Sequence, residues 1–407
     1  MNPSCDDHEG IEKTTKNRLI DTLLAVWAEA PADEVSVRAL VLRAGTAHAA
    51  IHHHFGDMEH LYVCASQTAL RAARDWMEQQ LAALATLAGQ PLPAALQASV
   101  IATVIADWTQ DQRRLAMAWR LACDPAWQAA WHGFWSRLAA LLGLGKSAET
   151  LAAFAAGEAS RHLLVWKPAL DRALLEETVG ALVIWLREGR LAPDGARSVH
   201  SALARRFYDV PAVPDSALAE RIAASAGLLL AEQGHGAVTF RAVASAARVT
   251  LGKVIHVFGT KSSLLRAALH SLYRREALGG DLAALLAQSF APEAMLGHVL
   301  DAILGGEQPV LKAYDEIERA IYNGPAYAAL RGLVRSMEDP SGTWALKQML
   351  GGREPTASLV AVFSAVIRGI GQCAIHGGSN GIDLRPVARA ALGPFLARTE
   401  PPGFYAS

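Results

Sequence analysis

One stretch of this chain occurs twice, and that repeat restricts the possible folds more than any other feature. Residues Arg18–Leu61 lie on Arg221–Leu264 at a constant offset of 203 residues, without a gap. Over the 46 aligned positions 17–62 and 220–265, 11 residues are identical. They include Ala28-Glu29 with Ala231-Glu232, Arg38-Ala39 with Arg241-Ala242, His53 with His256, and Phe55-Gly56 with Phe258-Gly259. A composition this rich in alanine gives roughly 3–4 identities by chance. An offset near half of the 407 residues describes a duplicated protein fused head to tail. A unit that works as a dimer would here carry its own partner.

The repeated segment reads as helix. In the first copy Leu19, Leu23, Leu24, Val26 and Trp27 form an apolar face at helical spacing. Ser36 stands where an N-cap is expected, because its hydroxyl can accept the free amides of a helix starting at Val37. That helix ends near Ala44-Gly45, where glycine supplies the turn, and a third short helix follows at about Ala47–His53. In the second copy Thr239 replaces Ser36 and Thr250 caps the third helix. Two short helices joined by a tight turn make a helix-turn-helix. Little of the remaining sequence reads as strand, so the fold class is all-α.

The strings SVRALVLRAGTAHAAIHHHFGDMEHL and TFRAVASAARVTLGKVIHVFGTKSSL resemble the N-terminal domain of TetR/AcrR-type transcriptional regulators. The shared pattern is Ser/Thr-hydrophobic-Arg-x-hydrophobic-Ala, a Gly-containing turn, a recognition helix, an aromatic-x-His/Tyr-Phe segment and often Ser-Lys-x-x-Leu. The copies depart from it at His52 and Met58 in the first, and at Arg248, Ile255 and Val257 in the second, while Lys261 is retained.

The resemblance implies that a helical effector-binding and dimerisation domain follows each head. The expected layout is a first head over 13–63, its helical domain over 64–208 and a linker over 209–216. A second head over 217–265 and a second helical domain over 266–400 complete it. The Pro-bounded Asp209–Pro214 stretch makes a stiff, extended linker. In the family the last two long helices of each subunit form a four-helix bundle with the partner. Here that bundle could close within one polypeptide, as an intramolecular pseudo-dimer.

DNA binding by such a module divides into phosphate contacts that position it and base-edge contacts that specify the site. The positioning candidates are Lys13, Lys16, Arg18, Ser36, Arg38 and Thr46 in the first copy, and Arg221, Thr239, Arg241 and Lys261 in the second. The reading candidates are His48, Ala49, His52 and His53, and Thr250, Leu251, Lys253 and His256. Capping alone is the competing role for Ser36 and Thr239, and a solvated face for Arg38 and Arg241.

Residues 11–64 hold five Lys/Arg against seven Asp/Glu, a charge of −2, whereas 218–270 hold six against two, +4. Neutralising phosphates supplies much of the affinity, so the second head is expected to bind more strongly. The histidines of the first, His48 and His52–His54, are expected to raise its affinity as pH falls toward about 6.

On the effector side, eight of the ten tryptophans lie in the first helical segment. Trp127, Trp131 and Trp135 recur every four residues on one helical face. With Trp108, Trp119 and His162 they are the candidates for a pocket taking an unidentified small-molecule effector, ordinary core packing being the competing role.

Several classes are disfavoured. The net charge of −1 makes any nucleic-acid binding local. The four cysteines (Cys5, Cys64, Cys123, Cys373) show no metal spacing and read mostly as buried or incidental thiols. The uncharged stretch Gln79–Ala106 is broken by Gly89, Pro91 and Pro93, and reads as two soluble helices rather than a membrane span. Gly145-Lys146-Ser147 lacks the glycine and strand of a phosphate loop, and the 376–381 loop reads as a helix connection. No catalytic motif, metal or cofactor is expected, no signal peptide precedes Glu12, and the location expected is cytoplasmic.

The reading is therefore a regulator acting on double-stranded operator DNA with unlike half-sites, released by a small molecule. Two alternatives stand beside it. Either the second copy alone binds DNA and chains associate, or the chain is a helical small-molecule binder that leaves DNA alone.

Overall fold

The computed structural model describes residues 15–29, 36–121, 124–197, 199–200, 202, 213–277, 288–305, 309–322, 328–336, 340–377 and 383–396. Among them there is no β-strand. Lys13, Cys5, Cys123, residues 209–212 of the expected linker and residues 378–381 of the 376–381 loop lie outside the described residues.

The two heads repeat each other in three dimensions as they do in sequence. The first comprises α1 (Thr15–Glu29), α2 (Val37–Arg43) and α3 (Ala49–Phe55). The second comprises α10 (Ala217–Gln233), α11 (Phe240–Ala246) and α12 (Leu251–Phe258), the helices between being numbered below. Their cores coincide at the offset of 203. Leu19, Leu23, Leu40, Ile51, Phe55 and Leu61 are buried in the first, and Ile222, Ala226, Val243, Val254, Phe258 and Leu264 in the second. Apolar residues at this spacing face inward together only if the segment is helical, so burial fixes both the helices and their mutual rotation.

Each head runs without a break into its half. In the first, α4 (Met58–Leu84) is one 27-residue helix capped by Asp57, whose Oδ1 accepts the His60 amide at 2.8 Å. In the second, α13 (Lys261–Ala277) starts after Thr260, whose Oγ1 accepts the Ser263 amide at 3.1 Å. The head boundaries expected at 63 and 265 both fall inside these helices, so head and body share a rigid element. Gly89, at φ 73°, and the prolines beside it turn the chain from the end of α4 into α5 (Ala94–Thr109).

The first half continues through α6 (Arg113–Leu121), α7 (Pro125–Leu141), α8 (Ala148–His162) and α9 (Pro168–Glu188). Gly145–Ser147 is a single 3-10 turn between α7 and α8. The second half continues through α14 (Pro292–Leu304), α15 (Pro309–Ile321), α16 (Ala328–Ser336), α17 (Pro340–Met349), α18 (Ala357–Gly377) and α19 (Arg385–Leu392). Cys64 of α4 is buried and disulfide-bonded, which corrects its reading as a buried or incidental thiol in the bonding state alone; Cys373 of α18 is a free thiol.

The buried apolar side chains of both halves join in one continuous cluster. At its centre α8 crosses α18 at backbone contact. A Cβ on Gly157 would collide with the Ala365 carbonyl, and a Cβ on Gly369 would collide with the Ala153 carbonyl. Each pair couples one helix's Gly to the Ala four residues before the other helix's Gly, and Ala153/Ala365 and Gly157/Gly369 share one offset of 212. At that offset Ser160 matches Gln372, and its Oγ accepts from the Gln372 amide at 2.9 Å. The Thr150 hydroxyl donates to Ala391 O at 2.9 Å, and Asp194 caps α18 by accepting the amides of Ala357 and Ser358 at 3.0 and 2.8 Å. The span Ala357–Ile375 has mean hydropathy 1.7, apolar enough to cross a membrane by length and composition. Its place between α8 and α9 accounts for that composition, as both faces meet protein.

Candidate nucleic-acid interface and inter-half cavity

In the first head the Ser36 Oγ accepts the Ala39 amide at 3.1 Å, so the capping role is real. Arg38 is exposed beside it, Thr46 is half-buried, and Gly45 turns the chain at φ 62°. His48, Ala49, His52 and His53 all point to solvent, although α3 begins two residues later than expected. The His52 Nδ1 donates to Gly56 O at 2.8 Å, since a carbonyl can only accept; in the neutral ring Nε2 is then left as an acceptor. His54 is half-buried, and burial, then His53 and Lys16, pushes its pKa down. Arg18 is exposed and donates to the Thr15 hydroxyl at 3.1 Å, while Lys16 is half-buried.

The second head is the more cationic surface. Arg221, Arg241, Lys253 and His256 are exposed, and Lys261 is half-buried at the start of α13. The Thr239 Oγ1 accepts the Ala242 amide at 3.1 Å. Thr250 occupies the N-cap position of α12 but makes no side-chain cap bond, a correction to the expected capping role. Leu251 and Ile255 are 40% and 46% exposed and four residues apart, so α12 presents an apolar strip beside Lys253. Ile255 thus adds a second exposed apolar side chain to the base-reading candidate Leu251. Arg248 holds φ 54° where the first copy has Gly45; among the described residues it is the one non-glycine in the left-handed region.

Behind the heads, a cavity of about 360 Å³ opens between the halves. Trp119, Trp127 and Trp131 of the first half face Ile370, Cys373 and Val387 of the second across it. Trp119 and Trp131 stack at 4.8 Å with their planes 18° apart. Of the other candidates, Trp108 and Trp135 lie behind the wall in the core, where Trp108 meets Trp76 at 5.2 Å. His162 is buried on α8 with Nε2 3.4 Å from the Glu158 carboxylate, off the cavity wall. The second half's wall residues lie more than two hundred positions away in the chain, and no local pattern announces them.

The cavity adjoins a buried ionic seam. Arg120 pairs with Asp315 and Glu318, Glu318 also with Arg368, and Arg335 with Asp171 at 2.9 Å. Glu158, beside Arg161 and His162, is held down at about 2: those partners outweigh the burial that would raise it. At the other end of α6, Arg113 donates to the carbonyls of Ala28 at 3.2 Å, Leu163 at 3.2 Å and Tyr322 at 3.3 Å. It thereby ties the first head to both halves.

Two helix-turn-helix heads, each continuous with a helical body, make the architecture of a DNA-binding regulator. Residues 19–63 and 222–268 each match the family described as bacterial regulatory proteins, tetR family. The chain therefore carries two tandem copies of that family's N-terminal domain, which supports a TetR-type regulator. Comparison with curated proteins gave no match.

Proposed function

We propose that the chain works as a single-chain pseudo-dimer on an asymmetric operator and lets go of DNA when a small molecule occupies its helical body. The units are 13–208 and 217–400, joined by 209–216, with the head–body division near 63 and 265. The reciprocal contact of α8 and α18 carries this reading. A two-fold interface is self-complementary, residue i meeting j′ and j meeting i′. Gly157 with Ala365 and Ala153 with Gly369 obey that rule at one offset, as subunits of a dimer do.

The two heads differ at most surface positions, so unlike half-sites follow, about 34–36 Å apart or a multiple of that. Arg38, Arg241, Ser36, Thr239, Thr46, Arg18, Lys16, Arg221 and Lys261 position the heads on phosphates. His48, Ala49, His52 and His53 read one half-site; Thr250, Leu251, Lys253 and His256 read the other, Leu251 meeting a thymine methyl. The +4 second head supplies the larger share of affinity. Release requires that the ligand favour a head separation that no longer fits the grooves.

The test is light-scattering mass, alone and with duplexes selected from a random pool. One chain on a bipartite, non-palindromic site is the expected result, with Arg38→Ala and Arg241→Ala each weakening binding. Two chains on a palindrome would mean that one head per chain is used, and no enrichment would remove DNA from the function.

A further inference from the structure

We propose, building on the single-chain regulator just described, that the inter-half cavity binds one uncharged, flat polycyclic aromatic molecule per chain. Its volume of about 360 Å³ lies in the range of small-molecule sites. Indole rings at Trp119, Trp127 and Trp131 form one wall, and aliphatic side chains at Ile370 and Val387 form the other. Such a slot rewards a planar apolar guest, which stacks on indole and displaces water that the walls cannot hydrogen-bond.

The charges around the cavity disfavour an ionic guest, because each already has an ion-pair or hydrogen-bond partner. Arg120 faces Asp315 and Glu318, and His132 Nε2 lies 2.7 Å from Glu149. The Asp124 carboxylate accepts the Ala126 amide at 2.8 Å as the cap of α7. Burial pushes the Cys373 thiol up to about 11, which keeps that wall position neutral. An ion entering here would lose its hydration against walls that are mostly apolar. Gln128, whose amide lies 3.5 Å from Cys373 O, supplies the polar group that orients the guest.

The stoichiometry follows from the asymmetry of the halves. Eight of the ten tryptophans belong to the first helical segment, so an indole wall of this kind can be built once per chain. A symmetric dimer would present two. The guest also touches both halves at once, and α6 links its site to the first head: Trp119 lines the cavity while Arg113 holds the Ala28 carbonyl.

Calorimetric titration of the full chain with 9-(hydroxymethyl)phenanthrene tests this, alongside the carboxylate and the aminomethyl cation on the same ring system. The expected result is one neutral molecule per chain, with both ions at least about tenfold weaker. Trp119→Ala, from the first half, and Val387→Glu, on the exposed rim of the second, should each weaken binding about tenfold, and Val387→Glu should do so with the melting midpoint unchanged. Two molecules per chain, equal binding of an ion, no binding of the alcohol, or indifference to Val387→Glu would overturn the proposal. The same samples are weighed by light scattering with DNA. Two chains per operator alongside one variant-sensitive guest per chain would sink the pseudo-dimer and leave the cavity standing. One chain on DNA with no guest would sink the cavity alone.

Discussion

Replacing Arg248 by glycine should stabilise this protein although it deletes a whole side chain. Arg248 sits at φ 54° in the turn of the second helix-turn-helix, where a Cβ crowds the backbone. A left-handed conformation costs a non-glycine residue about 1–2 kcal/mol. Glycine removes that cost, but its freer unfolded chain takes back about 0.4–1 kcal/mol. The net gain expected for Arg248→Gly is thus about 0.5–1 kcal/mol, roughly 1–4 °C in the midpoint of a unit this size. The first head supplies the mirror experiment. Gly45 holds φ 62° with no atom within 4 Å of where a Cβ would stand, so Gly45→Ala meets no clash and changes the backbone cost alone. It should lose about 1 kcal/mol. Differential scanning calorimetry and urea titration of both variants read the two signs. A lowered or unchanged midpoint for Arg248→Gly, together with a neutral Gly45→Ala, would refute the strain argument. A salt titration of DNA binding completes the measurement: one cation fewer on the second head lowers the slope by at most about one phosphate contact.

At the seam, Gly157→Val and Gly369→Val should each cost about 3 kcal/mol or more, because the collision is with a carbonyl that cannot repack; stability unchanged in denaturant titration would refute the close approach. Arg335→Met takes the cation away from buried Asp171, whose Oδ2 still accepts the Trp166 and Lys167 amides, and should cost about 3–5 kcal/mol, part of it recovered by adding Asp171→Asn, which keeps an acceptor for those amides without the charge; a double variant no better than the single would show that pairing is not the cause. His200 is pushed down to about 4 by burial and then by Arg335, whereas unfolded it titrates near 6.5. The unfolded chain therefore binds the proton more tightly, so stability is intact above about 6.5 and falls by roughly 3 kcal/mol as pH drops to about 4. His200→Phe should flatten that limb in a series of melts; an unchanged pH profile would exclude His200 as its source.

Periodicity and capping chemistry made the heads legible. Leu19, Leu23, Leu40, Ile51 and Phe55 face inward as their spacing required, and Ser36 and Thr239 both accept the amide three residues on. Local patterns misled where two chemistries fit one position. Thr250 has the residue type and place of a cap, yet its hydroxyl leaves the helix amides alone. The tryptophans show why a pocket is harder to read than a helix. Trp127, Trp131 and Trp135 share a helical face, but a face is wider than a cavity wall. Trp135 turns into the core, while Trp119 reaches the cavity from a different helix. The opposite wall belongs to α18 and α19, and only the tertiary pairing of the halves puts it there.

That pairing also bears on why the copies have diverged. In a dimer of identical chains every substitution appears twice, so a change near the axis must suit both positions at once. Joining the copies removes that constraint. Arg120 of the first half faces Asp315 and Glu318 of the second, and Arg335 of the second faces Asp171 of the first. Such one-sided pairs favour the union of unlike halves over the union of like ones, because either half paired with itself would bury charges without their counterparts. The small-residue crossing at Gly157 and Gly369 is the part that remains symmetric, as it must while the two helix backbones touch. Away from it the first half has gathered most of the indoles and the second head the positive charge.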